Sequence, residues 1–155
     1  MQEFLAALEG TELAQSLRLS RWGYAAVNAT HVLGIALLVG AILPLDLRLL
    51  GLWRGVPRAA LVRVLVPVAA TGLGLAVTAE LLMFMIRAQE YASIGFLQAK
   101  LVLVATGATA ALALHWRHGF LLEDASRARL AVHGLLSMAC WLGALICGRM
   151  IAFVT

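Results

Sequence analysis

The chain has 155 residues, 63% of them hydrophobic and 13% charged, with a mean hydropathy of +0.93. Soluble domains average about 45–50% apolar and about 25% charged residues, so this composition excludes a water-soluble globule, a disordered chain and a basic nucleic-acid-binding domain. A net charge of +4, a length suited to one domain and only two cysteines leave an integral membrane protein without a disulfide scaffold.

Residues 1–20 carry Glu3, Glu9 and Glu12 where a cleaved leader would be basic. Phe4, Leu5, Leu8, Leu13 and Leu17 fall at roughly helical spacing, which predicts an amphipathic helix lying on the membrane surface. A solvated lead-in helix is the alternative.

A membrane span takes about 20 apolar residues, because the hydrocarbon core is about 30 Å thick. The gaps between charges give four spans: about 22–45, 62–86 (interrupted by Glu80), 96–117 (with Lys100 in its first turn) and 130–152. The connections between them are short, so neighbouring spans run antiparallel. The expected fold is all-α: an integral membrane up-down four-helix bundle over 21–155, preceded by the interfacial helix. Gly72 and Gly74 thin the second span, Ala105, Gly107 and Ala108 the third, and Ala139, Gly143 and Cys147 recur every four residues on the fourth. Small residues of this kind allow close helix approach in lipid.

The basic residues set the orientation. Arg48, Arg54, Arg58, Arg63, Arg117, Arg127 and Arg129 lie at one end of the bundle, against Arg18, Arg21, Arg87, Lys100 and Arg149 at the other. This seven-to-five excess places both termini outside and the two basic connections in the cytoplasm. Trp22, Tyr24, Trp53 and Trp116 suit interfacial belts. A cell with two membranes would hold such a multi-pass protein in the bacterial inner membrane.

Ionisable groups inside a span cost about 2.5–3.5 kcal/mol each on insertion scales and call for a reason. The candidates are Asn28, His31, Glu80, Lys100, His115, His118, His133 and Arg149, which include all four histidines of the chain. His115 and His118 share a face near the inner end of the third span, and His133 lies about one turn into the fourth from the same side. His31 sits about 15 Å below the outer interface, counting about 1.5 Å per residue. Neutral imidazole is a common ligand of haem iron, and no Cys-x-x-Cys-His attachment motif occurs. The histidines therefore suggest non-covalent haem b, with His115 opposite either His31 or His133. His118 is the weaker candidate, since beside Arg117 it can meet water and headgroups, and His133 can equally hydrogen-bond a backbone carbonyl.

Glu80 and Arg149 both fall toward the outer side, which predicts an ion pair between them. Lys100 is expected to snorkel, or to pair with Glu90 or face a haem propionate or lipid phosphate. Cys140 and Cys147, about 10 Å apart along one helix, are too distant for a disulfide and read as core thiols. No phosphate-binding loop, nucleotide fingerprint, His-Glu-x-x-His pair or Gly-x-Ser-x-Gly elbow occurs.

The stretch WGYAAVNATHVLGIALLVGAILPLDLRLLG, with His31, Gly34, Gly40, Asp46, Arg48 and Gly51, resembles a bacterial family of small four-span membrane proteins. FLQAKLVLV followed by His115 is similar to that family's third span, whereas Glu80 in TAELLMF departs from its pattern. At the level of architecture the single histidines in spans one and three, His31 and His115, also resemble small b-haem proteins, such as the bacterial membrane protoporphyrinogen oxidase, and copper-resistance membrane proteins.

Together these features point to a small membrane redox protein holding haem b, with quinone or a redox protein as partner. It would act as an anchor or partner subunit in the lipid bilayer, in a homo- or hetero-oligomer, with no role in binding nucleic acid. The alternative is a non-redox scaffold or small transporter-like protein whose histidines are structural or carry protons.

Overall fold

In the computed structural model, which describes residues 1–154, every regular element is a helix and no strand occurs among the described residues. The N-terminal segment forms two helices where one was expected, α1 (Gln2–Glu9) and α2 (Glu12–Leu19). Gly10 and Thr11 cause the break. Gly10 ends the first helix, and the Thr11 hydroxyl accepts the Ala14 N–H to start the second.

Four long helices follow: α3 (Arg21–Leu49), α4 (Arg58–Ile86), α6 (Gly95–His118) and α7 (Arg127–Ile151), with the short α5 (Ala88–Ala92) between α4 and α6. Each long helix is long and apolar enough to cross a membrane, the composition of a multi-pass membrane protein. The first runs past the expected end at residue 45, through Pro44 and Asp46 to Leu49. It stops where Gly51 adopts a φ of +105°, not at the first charge. Asp46 thereby becomes a residue of the helix interior.

The N-terminal pair is tied to the rest. Helix α1 packs on α5 and α4, and α2 on α4 and α3. Glu9 accepts the backbone N–H of Gln89 at 2.9 Å and its side-chain amide at 3.1 Å. The backbone N–H of Gln89 holds the Glu9 carboxyl below the usual carboxylate range.

Among the long helices, α3 packs on α4, α6 on α7, and α3 on α7. The α3–α4 contact is made by two glycines facing each other. A methyl group at Gly34 would stand 2.5 Å from the Ala76 nitrogen and 2.8 Å from the Gly72 carbonyl oxygen. One at Gly72 would stand 2.5 Å from the Leu38 nitrogen and 2.7 Å from the Gly34 oxygen. The two backbones touch, as small residues permit in lipid, where no hydrophobic effect draws helices together. Gly134 similarly seats α7 on the Asp46 carbonyl of α3, and Gly107 of α6 receives the ring of Trp141 from α7.

No comparable backbone approach joins α4 to α6 among the described residues. The helix pairs α3–α4 and α6–α7 meet through α3 and α7, so a groove runs between α4 and α6. At the end bearing the α3–α4 and α6–α7 connections, Leu45, Val62, Leu114, Leu122, Ala125 and Leu130 form a buried cluster. Leu122 is there in the left-handed region, at φ +59°, which is strained for a bulky side chain. Its carbonyl accepts Arg58 Nη2 at 2.7 Å, fastening the α6–α7 connection to the start of α4.

Replacing Gly34 by Val should force α3 and α4 apart and cost at least about 1–3 kcal/mol, the usual penalty of overpacking. Gly74, whose Cβ position is open, should accept Ala with little change. Thermal unfolding in detergent distinguishes the two, and equal midpoints for both variants would refute the glycine contact.

Candidate functional site

The groove between α4 and α6 holds most of the polar groups buried in the long helices. Lys100 of α6 donates to Glu80 Oε1 of α4 at 2.5 Å, and Lys100 is only 8% exposed. Gly148 of α7 leaves room for the lysine stem, since a methyl there would touch Cδ, Cε and Nζ at 3.6–3.7 Å. The expected pair of Glu80 with Arg149 is therefore corrected. Arg149 is exposed and stacks over Phe153, 4.9 Å from the ring centre. Depth along the span put Glu80 and Arg149 at one height, but their direction around the helix axes separates them. Lys100 is buried against the Glu80 carboxylate in place of a pair with Glu90, which meets Arg87 at 3.4 Å instead.

Beside this pair lies a cavity of about 100 Å³ lined by His31, Glu80, Lys100 and apolar groups of all four long helices. His31 Nδ1 is 2.9 Å from the Ala76 carbonyl oxygen. A carbonyl only accepts, so Nδ1 carries the proton, and in the neutral ring Nε2 keeps its lone pair.

A second cavity, of about 240 Å³, lies further along the groove toward the α6–α7 connection. Asp46, His115, His133 and Ser137 line it. Asp46 is 3% exposed; Ser137 of α7 is within hydrogen-bonding reach of its carboxyl, while Oδ2 has no partner among the described residues. His115 Nδ1 lies 3.1 Å from the Phe120 carbonyl oxygen, with the Phe120 ring 5.9 Å from its own. This bond likewise fixes the proton on Nδ1 and leaves Nε2 unprotonated in the neutral ring. Leu38, Leu73 and Trp141 belong to both cavities and form the partition between them.

His115 and His133 thus share one cavity, while His31 lines the other. His118 lies outside both, where its Nε2 accepts Arg129 Nη1 at 3.0 Å. Asn28 is on an exposed face of α3, and Cys140 is buried in the α6–α7 contact. No group of three or more His, Cys, Asp or Glu side chains is placed to hold a bare metal ion among the described residues. Asp46 is the site residue that the charge pattern did not mark as buried. Its signal was present in the unbroken apolar run that leads into it and in Gly51 five residues later, where a helix end was available.

Replacing either Glu80 or Lys100 alone should destabilise the protein strongly, because one buried charge is left unpaired. The penalty for a fully buried pair is about 3–5 kcal/mol, and the partial exposure of Glu80 lowers it here. The double variant Glu80→Leu, Lys100→Met should recover much of the loss. Arg149→Ala should have little effect on the same thermal midpoint. A double variant as unstable as the sum of its parts would show that the two residues act independently.

Comparison with protein-family models, with curated proteins and with solved structures finds no match for the chain. The resemblance of its first span to a bacterial four-span family thus carries no family assignment, and the functional reading rests on the groove.

Proposed function

We propose that the chain is a small b-haem membrane protein of the bacterial inner membrane, with His115 and His133 as the residues that would hold the iron. The carrying observation is the bond from His115 Nδ1 to the Phe120 carbonyl, in a cavity that His133 also lines. Axial histidines commonly donate their second ring nitrogen to a carbonyl, which fixes the tautomer and raises the basicity of the free nitrogen. His31 lies in the neighbouring cavity, so His133 is the better partner for His115.

The donor set fits the group in kind. The enclosed volume of about 240 Å³ is below the range of about 300–1,000 Å³ usual for ligand sites, so a macrocycle would also need the opening between α4 and α6. Haem b, when bound, supplies one-electron chemistry. The chain's own part is to orient two imidazoles, exclude water with Leu38, Leu73 and Trp141, and hold the Asp46 carboxyl beside them.

A second reading is favoured by the Glu80–Lys100 pair and His31. Ionisable groups facing a cavity within the membrane mark proton and ion paths. A proton-carrying, transporter-like protein would use the same groove without a prosthetic group. In either case the basic excess supports a cytoplasmic position for the α3–α4 and α6–α7 connections.

The reduced-minus-oxidised absorbance of the detergent-purified protein decides between the readings. The haem reading expects b-type bands that are lost in His115→Ala and His133→Ala but kept in His118→Ala and His31→Ala. A colourless wild-type protein, after expression with ample haem supply, would transfer the conclusion to the proton-carrying reading. Separately, reporter tags at both termini should read outside and one near Gly55 inside; the reverse pattern would invert the orientation and leave the groove unchanged.

A further inference from the structure

The end of the molecule bearing the α3–α4 and α6–α7 connections contains a third cavity, of about 640 Å³, unconnected with the histidines. Four arginines line it: Arg48 from the last turn of α3, Arg54 from the following connection, Arg58 from the start of α4 and Arg127 from the start of α7. A positive face follows from the orientation rule alone, but four arginines from three helix ends and a connection bordering one cavity do not. Arg63, Arg117 and Arg129 are basic residues of the same end that do not line it.

Three of the four arginines are held in place by the backbone. Arg48 Nε donates to the Val56 carbonyl at 2.9 Å, Arg54 Nε to Gly51 at 3.1 Å, and Arg58 Nη2 to Leu122 at 2.7 Å. A guanidinium has five N–H donors, so each of the three retains free ones after these bonds. Glu123 is the one acid that lines the cavity among the described residues, and no ion pair joins it to any of the four. Four like charges around a single acid leave a positive excess that repels itself, and an anion at the centre relieves this. Planar guanidinium groups match the oxygens of phosphate with two parallel bonds.

The rest of the lining is apolar, with Leu49, Leu50, Leu121 and Leu130 on the wall. A small inorganic anion has no use for such a wall, whereas a lipid carries its phosphate directly above a glycerol and acyl chains. Basic sites between membrane helices are a known mode of recognition for acidic headgroups.

We propose that this four-arginine cavity binds the phosphate of an anionic phospholipid, with the acyl region against the leucine wall. Bound there, the lipid would bridge α3, α4 and α7 at the same end that Arg58 and Leu122 fasten together.

The test is native mass spectrometry of the full-length protein offered equal amounts of phosphatidylglycerol and phosphatidylcholine, with inorganic phosphate as a third probe. The wild type should retain phosphatidylglycerol in clear excess, and Arg54→Gln, Arg127→Gln should weaken that preference about thirtyfold. Arg63→Gln, Arg117→Gln removes the same charge from the same end outside the cavity and should keep the preference. Equal retention of both lipids would overturn the proposal, as would an equal loss in the two double variants, which would indicate a diffuse basic face. Displacement of the lipid by millimolar inorganic phosphate would show a free-anion site and overturn the lipid assignment. Should the first double variant fold poorly, Arg54→Lys, Arg127→Lys keeps the charge but not the paired geometry. It should then show an intermediate preference, and an unchanged one would count against a built site.

Discussion

The arrangement of this protein depends on the contact of two glycines. Gly34 and Gly72 bring the backbones of α3 and α4 together so closely that neither position has room for a methyl group. This fixes α4 against one side of α3. Helix α7 takes another side through Gly134, and α6 follows α7 through Gly107. Four helices joined in the order α4, α3, α7, α6 leave one gap, and it is there that the polar side chains collect. Close approach at one place is thus what produces a cavity at another.

Across the gap the helices are linked by charge instead of packing. The bond between Glu80 and Lys100 spans α4 and α6 where no backbone contact does. Such a pair is weak support for overall stability, because removing two charges from water offsets much of their attraction. It is well suited to fixing geometry, since among the described residues neither charge has another ion-pair partner. The two cavities on either side of Trp141 each carry a histidine whose Nδ1 is committed to a backbone carbonyl. The groove therefore presents imidazoles of defined tautomer, which suits both ligation and proton exchange.

Much of the frame was legible in the sequence. The charge gaps located all four long helices, because a run of uncharged residues long enough to span lipid has few other uses. Composition was a poorer guide to ends. A charge was taken to stop a helix at residue 45, whereas the turn at Gly51 stops it, and Asp46 was hidden by that difference. The break at Gly10 and Thr11 was available in the residue types but was outweighed by the apolar spacing on either side. Glycines could be counted but not ranked: Gly72 is pressed against α3, while Gly74, two residues away, faces open space. Glu80 failed in the same way, since hydropathy gives height in the membrane and no direction around the helix. The side chain that meets it, Lys100, stood in view as a charge in the first turn of a span.

The partition between the two cavities has a consequence for how they could ever communicate. Its central member, Trp141, is 4% exposed, and its ring edge packs tightly against Gly107, where an added carbon would stand 3.2–3.3 Å from the ring. A buried ring seated on a neighbouring helix moves most readily when that helix moves with it. The plug is thus coupled to the α6–α7 spacing. Passage between the histidine compartments becomes a property of how far apart two helices stand, on the microsecond-to-millisecond scale of collective helix motion. Rotamer exchange, which is orders of magnitude faster, would not open it.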